Sequence, residues 1–152
     1  YDFILTIKAE GRKNALWLVP PVLTLGIGCK KGISSEEIEA TFNMLLTKAN
    51  CHKEAVCRVC SIDIKAQEAG ILAFCKAHDL PLQTFSAEQL NAVQGHFISS
   101  KFVQEITGVD NVCERSAVLG SGGELFVKKH VGNGVTMALA IAPYTVRFWE
   151  EL

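Results

Sequence analysis

Apolar and polar positions alternate irregularly over the first twenty residues. Short apolar runs predict strands at 2–8 and 15–19, and Pro20 and Pro21 then punctuate the chain. From Val22 the pattern becomes regular. Val22, Leu23, Leu25 and Ile27 predict a buried strand over 22–27, followed by a glycine-rich loop over 28–33. Ser34 and Glu37 have capping-box spacing. Beyond them Ile38, Phe42, Leu45, Leu46 and Ala49 recur on one helical face, which carries a helix to about Asn50.

A second strand is predicted over 55–62, ended by Asp63. A helix over 65–78 follows, loosened at Gly70, and then a third short strand over 80–85. Ser86 and Gln89 open a short helix with the same capping pattern. Two more helices are predicted, over 99–106 with Phe102, Val103 and Ile106 inward and a stop at Gly108, and over 112–119. A glycine turn at 120–123 leads to strands over 124–131 and 135–142, joined by Gly132, Asn133 and Gly134, a strong hairpin signal. Strands alternating with helices imply an α/β fold: a mainly parallel sheet with crossover helices and a C-terminal antiparallel hairpin, layered α/β/α. Residues 1–21 read as a linker or the remnant of a preceding domain, and residues 22–152 as the domain itself.

Composition narrows the class. At 152 residues, 49% hydrophobic and 20% charged, the chain is one globular domain with apolar surface enough for a core. Fifteen basic against sixteen acidic side chains leave a net charge of −1, so no basic field favours a nucleic-acid partner. The apolar run 15–29 is broken by the two prolines and the run 135–142 is too short to span a bilayer, so neither a membrane partner nor a signal peptide is expected. The first residue, Tyr1, suggests a processed protein or a piece of a longer one.

Cys29, Cys51, Cys57, Cys60, Cys75 and Cys113 lie mostly in apolar patterns, which reads as packing thiols in a reducing, cytoplasmic protein rather than a disulfide framework. Cys57 and Cys60 form a CxxC, but inside a strand pattern, where residues three apart face opposite ways. His52, His78, His96 and His130 are scattered without ligand spacing, so no metal site is expected.

In parallel sheets, ligand sites form at the carboxyl ends of the strands. Segments 26–32, 61–65, 85–88 and 95–101 are candidates for that edge. The loop Gly26, Ile27, Gly28, Cys29, Lys30, Lys31, Gly32 joins a strand to a capped helix, and two lysines with close-approach glycines favour an anion. Its GxGxxxG spacing misses the dinucleotide pattern by one residue, and it is not a P-loop. The plainer reading is a tight turn with solvated lysines. Asp63 is either a helix cap or an acid/base group, with Lys65 as a second anion contact. Ser86 and Glu88 are a cap and a first-turn charge, or ligand contacts. Ser99, Ser100 and Lys101 open a helix and would suit a carboxylate. Lys128 and Lys129 read as solvated edge charges, and His96 as a lone structural histidine. Cationic loops with one or two acids suit a small polycarboxylate.

Five collinear stretches carry a resemblance: 26–32 (GIGCKKG), 61–66 (SIDIKA), 85–91 (FSAEQLN), 112–119 (VCERSAVL) and 134–140 (GVTMALA). Together they resemble the C-terminal domain of the cobalt-precorrin-5A hydrolases, the CbiG/CobE-type family of cobalamin biosynthesis, over about residues 22–142. The resemblance implies a reaction in which water opens the δ-lactone of cobalt-precorrin-5A and the two-carbon unit leaves as acetaldehyde, giving cobalt-precorrin-5B. It implies a cobalt-corrinoid substrate that brings its own cobalt, no cofactor, and an N-terminal domain of the same enzyme as partner. Gly26, Gly28, Cys29, Lys30, Lys31, Gly32, Asp63, Lys65, Ser86, Glu88 and Glu114 match its motif positions. On that basis Gly26, Gly28, Lys30, Lys31, Gly32, Lys65, Ser86, Ser99, Ser100 and Lys101 are the substrate-binding candidates. Asp63 or Glu88 would activate water or pass a proton, and Cys29, its pKa depressed by the electropositive loop, would act as a nucleophile. A non-catalytic corrinoid-binding module and a nucleotide-binding domain are the competing readings.

Overall fold

The computed structural model describes residues 2–8, 15–97 and 101–143. Ser99 and Ser100, and the side chain of Phe102, lie outside the described residues. The main sheet has five strands in the order β5-β4-β3-β7-β6: β3 (Leu23–Cys29), β4 (Val56–Ile62), β5 (Leu82–Phe85), β6 (Glu124–Gly132) and β7 (Val135–Ile141). β3, β4 and β5 are parallel, and β7 and β6 complete the sheet antiparallel, so the fold is the layered α/β arrangement expected. β1 (Asp2–Leu5) and β2 (Ala15–Leu18) form a separate parallel pair.

The crossovers β3-to-β4 and β4-to-β5 step in the same direction, so their right-handed helices lie on the same face. These are α1 (Ser35–Ala49) and α2 (Ala69–Ala77), which pack on each other. Alternation does the rest: Leu23, Leu25, Ile27, Val59, Val135, Met137 and Leu139 point to this face and meet Ile38, Phe42, Leu45, Ile71 and Phe74 in the larger core. The opposite face is covered by α3 (Ala87–Asn91) and α5 (Val112–Ser121). There Cys60, Ile62 and Phe85 meet Leu90, Val109 and Val112 in a second core, with Val103 of α4 (Lys101–Thr107) packed against it.

Local signals explain most boundaries. Ser34 and Glu37 form the full capping box of α1, and Asn50 ends it in the left-handed conformation at φ 53°. Asn133 and Gly134, at φ 48° and 80°, make the two-residue hairpin turn. Four expectations shift. β3 runs on through Gly28 and Cys29, because both pair in register with β7, opposite Thr136 and Val135, so the connecting loop is shorter than 28–33. The helix expected from 65 starts at Ala69, after a 3-10 turn over Asp63–Lys65. Gly70 marks close packing rather than loosening, since a Cβ there would stand 2.3 Å from the Ile33 carbonyl oxygen. α5 continues through Gly120, and the left-handed cap falls at Gly122, φ 66°.

The N-terminal segment is docked on the domain. Ile7 is buried in the larger core, and its carbonyl accepts the His52 N–H at 2.8 Å. Lys8 donates to the Ala49 carbonyl at the C-terminus of α1, where the helix dipole favours a cation, and lies 4.9 Å over the Phe126 ring. No helix among the described residues is long and apolar enough to cross a membrane.

Candidate functional site

The parallel strands β3, β4 and β5 end side by side, so the segments following Cys29, Ile62 and Phe85 share one edge of the sheet. Neighbouring strands are about 4.8 Å apart, so this edge spans about 10 Å from β3 to β5. The start of β7 adjoins β3 there, with Thr136 Oγ1 donating to the Gly28 carbonyl at 3.3 Å.

The glycine loop is built on hydrogen bonds of its own. The Lys30 N–H donates to the Gly134 carbonyl at 3.0 Å, tying the loop to the hairpin turn. Lys30 and Lys31 are exposed, as is Gly32, which turns at φ 80° with open space where a side chain would stand. Gly26 does not belong to the mouth. It is buried in mid-strand beneath α5, and a Cβ on it would fall 1.7 Å from the Cys113 carbonyl oxygen. Its close approach is to a helix of the same chain and not to an outside ligand. Gly28 is half-buried beside Thr136, whose Oγ1 would meet a Cβ at 2.8 Å.

Asp63 opens the 3-10 turn after β4, exposed, with its carboxylate in no hydrogen bond or ion pair among the described residues. It caps nothing: the N-cap position of that turn is Ile62. Lys65 is turned inward and pairs with Glu68 at 3.7 Å, both side chains largely buried at 13% and 12% exposure. Glu68 also reaches across to the glycine loop, where Oε1 accepts the Gly32 N–H at 2.7 Å. Glu68 carries no signal in the sequence beyond a lysine three residues before it, the spacing of ordinary helix surface.

Cys29 closes β3 beside this pair. Burial pushes its thiol up to about 11, while Lys65 lowers it and Glu68 raises it by smaller amounts. The expected depressed pKa is therefore reversed: the lysines of the loop point to solvent, and burial governs the thiol. Cys60 is likewise buried, against α5, and pushed up to about 12, so the CxxC is a strand feature. All six cysteines are free thiols.

Ser86 caps α3 through a capping box with Gln89, and Glu88 is exposed in the first turn. Lys101 is exposed at the head of α4 and forms no hydrogen bond or ion pair with a described residue. Among the described residues no three His, Cys, Asp or Glu side chains gather to hold a metal.

Beneath the β3 end of the mouth lies a buried polar cluster at the head of α5. Glu114, 1% exposed, accepts from Asn111 Nδ2 and, through Oε2, from the Lys129 N–H at 2.9 Å. The β6–β7 register breaks between Val127 and His130, and Glu114 serves the amide in that break. Ser61 donates to the Ile27 carbonyl at 2.7 Å and is wholly buried. Two surface grooves lie elsewhere, one beside Met44, Thr47 and His130, the other beside Phe42, Val56 and His78.

Comparison with known proteins accords with this architecture. A family model described as "Cobalamin synthesis G C-terminus" matches residues 23–140. The cobalt-precorrin-5A hydrolase of Priestia megaterium is 32% identical over 134 residues, covering 87% of this chain and 35% of that protein. The chain thus spans about a third of that relative's length. Protein CobE of a Sinorhizobium species is 34% identical over 128 residues, covering 82% of each. A crystal structure of CobE, described as a protein from the cobalamin (vitamin B12) biosynthetic pathway, superposes with a TM-score of 0.73 at 25% identity, covering 80% of this chain and 91% of that one.

Proposed function

The chain belongs to the cobalamin synthesis G C-terminal family, and from that premise we propose that it serves cobalamin biosynthesis as the C-terminal domain of a cobalt-precorrin-5A hydrolase. The observation that carries the reading is the shared strand edge, where exposed Lys30 and Lys31 stand on one loop and the carboxylate of Asp63, engaged by no described residue, on the next. The substrate is a cobalt corrinoid rimmed with acetate and propionate carboxylates. Lys30, Lys31 and the backbone of the glycine loop hold that rim, and Ser86 and Glu88 lie two strands away along the same edge. Asp63 accepts a proton from the water that attacks the lactone carbonyl. The ester bond to the meso carbon breaks, leaving a ring-A carboxylate and a hydroxyl on that carbon. The hydroxyl gives up its proton as its C–O bond becomes C=O. The carbon–carbon bond to the macrocycle breaks, its electron pair stays with the macrocycle and is protonated there, and the two-carbon unit departs as acetaldehyde. The cobalt travels with the substrate. An N-terminal domain supplies the rest of the site, in keeping with the greater length of the hydrolase relatives.

The test is acetaldehyde release from cobalt-precorrin-5A by wild type and by Asp63→Ala, each joined to the N-terminal domain, with binding followed by the corrinoid's visible spectrum. Turnover lost with binding retained supports catalysis by Asp63; unchanged turnover removes Asp63 from the chemistry. A second reading is favoured by the CobE relative, of which the chain covers 82%. There the domain binds a corrinoid intermediate and hands it on without catalysis. Binding of cobalt-precorrin-5A by the isolated domain, with no acetaldehyde in either context, would select it.

A further inference from the structure

Glu68 occupies the N-cap position of α2 but does not cap it; its side chain makes no bond to that helix. It crosses to the glycine loop instead, with Oε1 on the Gly32 N–H at 2.7 Å and Oε2 facing the Lys65 ammonium at 3.7 Å. The Lys65–Glu68 pair is largely withdrawn from water, a placement whose desolvation cost makes it a weak device for stability alone. Take the Glu68 carboxylate away, and an amide and an ammonium converge on a space of carboxylate size. That space borders the mouth: Gly32 is exposed with nothing within 4 Å of its open side, and the Cys29 thiol at the strand end feels both Lys65 and Glu68.

We infer that the Gly32 N–H and the Lys65 ammonium form a carboxylate subsite which Glu68 fills in the free chain, making the loop selective for polycarboxylates over single anions. A tethered carboxylate competes at an effective concentration in the millimolar range, so a lone anion loses to it. A ligand held at several points by other carboxylates displaces it. Glu68 then has another place to go, the uncapped first turn of α2, where the helix dipole favours an anion. The inference rests on the carboxylate-binding reading of this mouth and adds the residue that sets its selectivity.

The experiment follows the Gly32 amide in 15N-resolved NMR of wild type, Glu68→Ala and Glu68→Asp during titration with sodium acetate, and separately with cobyrinic acid, a cobalt corrin with free peripheral carboxylates. Asp is one methylene shorter and falls short of Gly32, so it reports should the Ala variant fold poorly. The expected result is that acetate moves the Gly32 amide of either variant at a concentration on the order of tenfold lower than in wild type. Cobyrinic acid should move it in wild type as well. Equal response to acetate in wild type and in the folded variants, or none in the variants, overturns the subsite. An acetate gain in the variants with no response to cobyrinic acid supports the subsite and overturns the corrinoid reading.

Discussion

Gly26 has no side chain because α5 leaves no space for one. Gly26→Ala would drive a Cβ against the Cys113 carbonyl, which must lift the helix off the sheet. Overpacking of this kind costs about 3 kcal/mol, to be read from urea denaturation with an unchanged m-value. The sequence displays a glycine but not what approaches it, so Gly26 and Gly28 look alike there. The structure puts the first under a helix and the second beside Thr136. Cys29 shows the same limit. Its neighbouring lysines are plain in the sequence, whereas its burial and the countercharge of Glu68 come from packing. A thiol held up to about 11 is a poor nucleophile at neutral pH. Cys29→Ser should leave corrinoid binding within about twofold, and iodoacetamide labelling of Cys29, followed by mass spectrometry, should rise only toward pH 11.

At the level of elements, the capping boxes at Ser34 and Ser86 and the Asn133–Gly134 turn were readable because each is a local pattern with a local cause. The start of α2 was not, since it depends on Gly70 packing against a loop far away in sequence. Ser86→Ala tests whether its role is confined to the cap. A lost cap costs about 1 kcal/mol, and if binding of cobyrinic acid is unchanged beside that loss, Ser86 shapes α3 and does not touch ligand. The brace between α5 and β6 is a second elemental device. Glu114→Ala removes the acceptor used by the part-buried Lys129 N–H and by the Asn111 amide, a cost of about 1 kcal/mol. Its fingerprint is faster hydrogen exchange at the Lys129 amide, while Glu114→Gln, which still offers an acceptor, recovers most of the protection.

Across the whole molecule, five thiols are held protonated by burial: Cys51 is raised, Cys29 and Cys75 reach about 11, and Cys60 and Cys113 about 12, from an ordinary value of 9.0. Between those values the folded chain binds more protons than the unfolded one, so the stability they contribute is complete below pH 9. It falls as pH rises through 9 toward 12. Melting temperature should decline steadily over that range, and a Cys60→Ala, Cys113→Ala pair should flatten the decline even if it melts lower at pH 7. The docking of residues 6–8 bears on architecture at a larger scale. The Ile7–His52 bond and the Lys8 cap lie at the edge where β3 and β4 begin, the reverse edge from the glycine loop. The seven residues of β3 separate the two edges by about 20 Å. The N-terminal segment is therefore moored at the stern of the domain while the mouth is at the bow, so loosening that mooring should leave the geometry of the mouth unchanged.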